Sequence, residues 1–254
     1  MKIALLTGAS SGLGCAYAKY IGEIFPEIDA VWALACREGR LVELAKEVSK
    51  PEIVPVECDL TKAEDIEKLK AKLFSEKPEI LLLINNAGCG YHGEFASSDM
   101  KEQMRCVQLN VTALTEVTRI ALDYMPAGAR VLNTSSIASF APNANMAVYS
   151  ASKAYVSFFS RALNEELRPG GRSSTAVCPA PMRTEFLSVG HIEGNSRTFE
   201  LLPYCDVDKV ARGALKAAKK RRSIYTSRQN RKFALVHARP KLAPRADRSD
   251  PSES

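Results

Sequence analysis

Long apolar runs are missing from this chain. No stretch of its 254 residues approaches the ~20 apolar positions that a bilayer-crossing helix requires, so a membrane span is not expected. The opening MKIALLTGASSG follows its lysine with only about five apolar residues, against the 7 to 15 of a secretory leader, and reads better as a buried first strand. Paired-cysteine spacing is missing too. Seven cysteines, at 15, 36, 58, 89, 106, 178 and 205, never stand as C-x-x-C. Their odd number and scatter argue against a disulfide framework or a zinc site and for a reducing, cytoplasmic setting. No linker, repeat or low-complexity segment divides the chain, so a single domain is expected.

What is present is the composition of a globular protein with room for a core, 46% hydrophobic and 25% charged. The net charge of +6 is unevenly spread: from Lys209 onward there are 14 lysines and arginines against 3 acids, which leaves the preceding body mildly acidic. A basic end can contact a polyanion or anionic lipid, and it can equally be plain solvated surface. Neither nucleic acid nor membrane is expected as a partner. The final PRADRSDPSES, polar and without aromatics, is expected to be disordered. The reading therefore divides the chain into a folded domain over 1–226 and a basic extension over 227–254.

Short β-rich apolar runs alternate with helical patterns. KIALLT precedes a helix from about Gly12 to Phe25, AVWALAC precedes GRLVELAKEVS, EIVPVEC precedes KAEDIEKLKAKLFSE, and EILLLINN precedes helical segments from Ser97 to Met125. ARVLNTSS then leads to VYSASKAYVSFFSRALNEEL, SSTAVCP to the helix DVDKVARGALKAAKK, and RSIYTS reads as a last strand. Seven such alternations predict an α/β, Rossmann-like, doubly wound parallel sheet of seven strands with helices on both faces. Continuously apolar strands such as ILLLIN are what a sheet covered on both sides needs.

The first strand runs directly into TGASSGLG, Thr7 to Gly14. Glycines at a strand-to-helix turn let backbone N–H groups approach a pyrophosphate, and the helix N-terminus adds partial positive charge. The spacing is T-G-x-x-x-G-x-G rather than G-x-G-x-x-G. Further on come NNAG at Asn85–Gly88, a serine pair at Ser135 and Ser136, and YSASK at Tyr149–Lys153. With these four motifs in this order the chain resembles the short-chain dehydrogenase/reductase family, over about Lys2 to Thr226.

The resemblance implies a nicotinamide dinucleotide held by Gly8, Ser10, Ser11, Gly12, Leu13 and Gly14, by Asn86, Ala87 and Gly88, and by Pro179, Ala180, Met182 and Thr184. Asp59 and Leu60 match the family's adenine-contacting pair, although Asp59 could merely cap the helix that follows Thr61. At the end of the second strand a carboxylate would bind both ribose hydroxyls of NAD, whereas an arginine would pair with a 2′-phosphate. This chain has ACREGR there, with Arg37 where NADP-preferring members are basic, so NADP(H) is expected. Glu38 alongside could blunt that preference.

Carbonyl reduction needs a hydride at carbon and a proton at oxygen. Residues at i and i+4 share a helix face, so Lys153, together with the positive nicotinamide of the oxidised cofactor, could lower the pKa of the Tyr149 phenol from about 10; the resemblance implies that Tyr149 and Lys153 also contact the cofactor, the lysine holding the nicotinamide ribose. Ser136, thirteen residues before Tyr149, has the spacing of the serine that binds the substrate oxygen, and Ser135 is rejected. Asn110 aligns with the helix-embedded asparagine that holds a water. The resemblance thus implies a Tyr149, Lys153, Ser136 and Asn110 tetrad. One departure is Ala180, where the family usually has glycine: alanine loses easy access to positive φ.

A lid over about 182–205, with Phe186, Leu187, Val189, Ile192, Phe199, Leu201 and Leu202, suggests an apolar carbonyl or alcohol substrate, as do Phe95, Phe140 and Met146 in nearby loops. These side chains could equally pack on the domain. A homodimer or homotetramer through the helices at about 106–125 and 149–167 is implied by the family, with Phe158, Phe159 and Ala162 as candidates. Two other readings stay open: a regulator that senses NADP(H) without turnover, disfavoured because tyrosine and lysine are both kept, and a polyanion-binding protein acting through the basic tail.

Overall fold

The structure, a computed structural model, describes residues 1–192 and 204–227. Seven parallel strands form one sheet: β1 (Lys2–Thr7), β2 (Ala30–Ala35), β3 (Glu52–Glu57), β4 (Glu79–Asn85), β5 (Arg130–Thr134), β6 (Ser173–Val177) and β7 (Ile224–Tyr225). The spatial order is β3-β2-β1-β4-β5-β6-β7. The chain therefore winds outward in one direction as far as β3 and in the other from β4, which leaves a crevice at the carboxyl ends of β1 and β4.

Helices cover both faces because the strands are apolar on both. In β1, Ala4 and Leu6 point into one core with α1 (Gly12–Ile24), α2 (Glu38–Glu47) and the C-terminal helix, while Ile3 and Leu5 point into the other with α3 (Ala63–Glu76). Trp32, fully buried in β2, sits on the α3 side with Leu69 and Leu73. Between β4 and β5 the chain forms α4 (Met100–Val107), a wide π turn (Gln108–Ala113) and α5 (Leu114–Leu122). Helicity starts at Met100 rather than Ser97 because Asp99 accepts a hydrogen bond from the Lys101 amide at 2.8 Å and so caps the helix there.

The long α6 (Ala147–Leu167) follows β5, and α7 (Glu185–Val189) and α8 (Val207–Lys219) follow β6. A buried amide ladder ties the middle of the sheet to its helices. Asn85 donates to Thr118 Oγ1 and to Asn133 Oδ1, both at 2.8 Å, and Asn133 donates to Ser160 Oγ at 2.9 Å. These side chains, at 0–2% exposure, are held by bonds to one another, with the Asn85 Oδ1 left unpaired among the described residues, and the ladder fixes the height of β4 against β5.

Part of the basic C-terminal run belongs to the body of the fold. Arg212 pairs with Glu23 at 3.2 Å and lies 4.1 Å from the Tyr20 ring centroid, and Lys219 donates to the Ile24 carbonyl. Among the described residues no helix is long and apolar enough to cross a membrane. The extension beyond Ser227, together with Phe199, Leu201 and Leu202 of the expected lid, lies outside the described residues.

Candidate active site

A cleft of about 470 Å³ opens at the crevice between β1 and β4. One wall is the glycine turn. Gly8 and Gly12 have φ of +67° and +52°, the left-handed region that glycine tolerates. A Cβ on Gly8 would lie 2.7 Å from the Ala87 Cα, and one on Gly14 would lie 2.0 Å from the Gly8 carbonyl oxygen. Only glycine allows these close approaches. The Ser11 side chain makes no capping bond to α1, and Ser11, Gly12 and Leu13 all line the cleft, so the first turn of α1 presents backbone N–H groups to it. This cradle fits an anionic phosphate group.

The loop after β4 is braced against the turn. Thr7 Oγ1 accepts from the Asn86 and Ala87 amides, both at 3.0 Å, while Asn86 Nδ2 donates to the Gly8 carbonyl at 3.1 Å and Asn86 Oδ1 accepts from Thr134 at 3.3 Å. Asn86 thus joins the ends of three strands. Thr7 opens the T-G-x-x-x-G-x-G motif, but nothing local in the sequence marks its hydroxyl as the brace for a loop some 80 residues away.

At the far end Cys36, Arg37, Asp59, Leu60 and Thr61 line the cleft. Asp59 accepts from the Thr61 amide and hydroxyl at 3.0 and 2.7 Å. Burial resists its ionisation, but those two bonds, with attraction from Lys62 and Arg105, hold the carboxyl below its usual range. Asp59 thus closes a turn ahead of α3 and does not cap the helix, whose N-cap position is Lys62 with no side-chain capping bond. Arg37 donates to Ser10 and to Glu185; Glu185, Arg40 and Arg105 were not singled out in the sequence, because nothing local to them marks a site.

The opposite end holds Ser136, Tyr149 and Lys153. Tyr149 and Lys153 come from one face of α6 and are 6% and 4% exposed. The Lys153 Nζ lies 5.9 Å from the Tyr149 ring centroid and donates to the Thr134 carbonyl at 2.8 Å. Burial pushes the lysine down to about 8. Burial also pushes the Tyr149 phenol well above its ordinary value, and a hydrogen bond with Ser136 pulls the other way without overcoming it. The expected lowering of the phenol by Lys153 is thus not found in the protein alone. Desolvation of a phenolate outweighs one ammonium that is itself desolvated and turned toward a carbonyl.

Ser135 and Ser136 are distinguished clearly. The Ser135 hydroxyl donates to the Lys153 carbonyl at 2.7 Å and sits 2.8 Å from Ser157 Oγ, whereas Ser136 starts the short turn Ile137–Phe140, accepts from the Ala138 amide at 3.1 Å and bonds Tyr149. Of the expected cofactor and catalytic residues, Gly14 and Asn110 do not line the cleft. Gly14 lies beneath it, under Gly8. Asn110, buried within the π turn, lies behind Gly88: its side chain donates to the Cys89 carbonyl at 2.8 Å and to Ser152 Oγ at 2.9 Å and accepts from the Cys89 amide at 3.0 Å. A Cβ on Gly88 would meet its Oδ1 at 2.8 Å.

Pro179, Ala180, Met182 and Thr184 line the remaining wall. Among the described residues the non-glycine positions with positive φ are Lys77, Asn145, His191 and Arg221. Ala180 is not among them, so alanine is accommodated without strain. Phe186, Leu187 and Val189 of α7 face the cleft with Cys89 and Gly90, and the Phe186 and Tyr149 rings lie 5.7 Å apart. Ile192 and Met146 instead pack behind Tyr149, and Phe140 packs on the core. Phe95 is 61% exposed and outside the cleft.

The family model described as "short chain dehydrogenase" matches residues 2–190. The chain belongs to the short-chain dehydrogenase family. Its relatives include sulfoacetaldehyde reductase 2 of Chromohalobacter salexigens, 34% identical over 198 residues that cover 74% of this chain and 75% of that one. A short-chain dehydrogenase from Sphingobium yanoikuyae, solved in complex with NADPH, superposes with a TM-score of 0.79 at 30% identity and covers 98% of this chain and 100% of its own. The bulky-bulky ketone specific alcohol dehydrogenase of Comamonas testosteroni gives a TM-score of 0.73 at 28% identity over 99% of both chains. As a short-chain dehydrogenase the protein is an oxidoreductase that uses a nicotinamide cofactor on small molecules.

Proposed function

We propose that this short-chain dehydrogenase is an NADP(H)-dependent reductase of ketones, or dehydrogenase of secondary alcohols, whose substrates carry apolar groups. The observation that carries the reading is the polarity of the cleft: an arginine, Arg37, at one end and the buried Ser136, Tyr149 and Lys153 at the other, with the glycine turn between, where Gly8 and Gly12 leave backbone open to a ligand. Gly8, Ser10, Ser11, Gly12, Leu13, Asn86, Ala87 and Gly88 would hold the dinucleotide phosphates and nicotinamide ribose, Asp59 and Leu60 the adenine, and Pro179, Ala180, Met182 and Thr184 the nicotinamide. A nicotinamide dinucleotide supplies the hydride and, once oxidised, a positively charged ring.

Ser136 would donate to the substrate oxygen and keep the carbonyl within reach of Tyr149, which gives up its hydroxyl proton as negative charge grows there. Lys153 steadies the phenolate left behind. Its place one turn from Tyr149 keeps it close enough to act, while its bond to Thr134 orients it. Asn110 holds the Cys89 backbone and so positions the loop that closes this end of the cleft.

The walls around Tyr149 are Cys89, Gly90, Met182, Phe186, Leu187 and Val189, which suit apolar substituents better than the sulfonate of a sulfoacetaldehyde. The structural likeness to a ketone-specific alcohol dehydrogenase favours the same class. NADPH oxidation against a panel of alkyl and aryl ketones, aldehydes and sulfoacetaldehyde is expected to favour bulky ketones, and a preference for sulfoacetaldehyde would overturn the substrate class. Arg37→Asp is expected to cut the NADPH/NADH ratio of kcat/KM by roughly tenfold or more, the worth of one charge-assisted pair with phosphate. An unchanged ratio would refute NADP(H) preference.

A homo-oligomer through α4, α5 and α6 is part of the same proposal. Phe158 is 61% exposed and Met104 56% exposed on these helices, while Tyr155 and Phe159 stack at 5.7 Å. Phe159 packs on the core, so Phe158 is the better anchor. Light scattering is expected to give a dimer or tetramer that Phe158→Glu dissociates; a monomeric parent chain would remove the idea.

A further inference from the structure

A charged cluster at the far end of the cleft takes no part in the chemistry above. Glu185 opens α7 directly after Thr184, and two arginines from the β2–α2 side hold its carboxylate: Arg37 at 2.9 Å and Arg40 at 3.3 Å. The second terminal nitrogen of Arg37 donates to Ser10 Oγ at 3.1 Å. Both ends of the guanidinium that faces the cleft are therefore engaged by oxygens of this chain. The backbone places the carboxylate as well, because Thr184 packs against the glycine turn: a Cβ on Gly12 would lie 3.1 Å from its Cγ2. Hydrogen bonding and attraction from Arg37 hold the Glu185 carboxyl below its ordinary range, so it is ionised at neutral pH.

We propose that Glu185 is a specificity-determining residue, an internal counter-anion for Arg37 and Arg40 that competes with the 2′-phosphate of NADP(H) and narrows the preference for NADP(H) over NAD(H). A phosphate monoester carries up to about two negative charges at neutral pH. To reach Arg37 it must displace the carboxylate or lie beside it, and either way Glu185 weakens the gain. A 2′-hydroxyl bears no charge and meets no such competitor. Arg40 matters here because it shares Glu185, so the carboxylate offsets part of the charge that it would offer a phosphate.

This inference rests on Arg37 being the 2′-phosphate anchor, and fluorescence titration of NADPH and NADH tests the two separately. Glu185→Gln is expected to tighten NADPH by roughly 3- to 10-fold, the scale of two exposed ion pairs, while the NADH Kd moves less than about twofold. In an Arg37→Ala, Arg40→Ala background the same substitution is expected to do nothing to NADPH. A structural prop would not give that conditional pattern. If Glu185→Gln leaves NADPH binding unchanged or weakens both cofactors alike, while Arg37→Ala lowers the NADPH preference, the inference falls and the cofactor reading stands. If the double-arginine variant binds NADPH as the parent does, the cofactor reading itself falls.

Discussion

Replacing Tyr149 by phenylalanine is expected to lower kcat for ketone reduction by roughly 10²- to 10⁴-fold, the usual worth of a positioned proton donor. The substitution removes one oxygen from a ring already enclosed by Met146, Leu187, Ile192 and Cys106. The packing therefore stays, and the melting temperature and the NADPH Kd are expected to hold near parent values. Among the described residues the bond lost is the one between the phenol and Ser136. Because burial holds the phenol well above its ordinary pKa, Tyr149 is neutral and proton-bearing at pH 7, the form that reduction requires. A variant retaining a tenth or more of the parent kcat would mean that another group protonates the product oxygen, and the proposed mechanism would be wrong.

Lys153→Met is expected to be as damaging, with a separate signature in stability. Lys153 is 4% exposed and its ammonium donates to the Thr134 carbonyl, and burial lowers its pKa to about 8 from the ordinary 10.5. Without it the phenolate formed on Tyr149 has no adjacent cation, so turnover is expected to fall by roughly 10²-fold or more. For stability, the folded lysine releases its proton near pH 8 and the unfolded one near 10.5. Between those values the unfolded chain holds more protons, so this group makes the fold more stable as pH rises, by at most ~1.4 kcal/mol per pH unit. Below pH 8 its destabilising effect is present in full.

Buried thiols and phenols titrate in the opposite sense over the same range, since burial raises Cys58, Cys178 and Tyr17. The informative quantity is therefore the difference between parent and variant. Unfolding free energies measured from pH 7 to pH 10.5 are expected to converge on those of Lys153→Met from the low side. A parent curve parallel to that of the variant would show that the lysine is not destabilised by burial.

Much of the layout was legible in the chain because it depends on short-range pattern. The apolar run AVWALA is buried at every position since a strand between two helical layers has no solvent face. The glycines at 8, 12 and 14 could be read as a turn that needs backbone approach, and their Cβ clearances bear that geometry out. Boundaries were less legible. RSIYTS yields only Ile224–Tyr225 as a strand, and the helical region after β4 contains a π turn at Gln108–Ala113 that helical periodicity does not announce. Asn110 gave a hint, being a poor helix former, but its partner Cys89 lies 21 residues away.

By itself the sequence determined the strand-and-helix alternation, the glycine turn and the shared helix face of Tyr149 and Lys153, because each follows from contacts or periodicities within a few residues, while the spacing of Ser136 from Tyr149 was legible only through the family resemblance. Only the tertiary structure decided the balance of charge. Whether a phenol is lowered by a lysine depends on how much water both have lost, and whether Arg37 is free to bind depends on Glu185, 148 residues further along the chain. Desolvation and long-range ion pairing arise from the packing of distant segments, and no local pattern of residues encodes them.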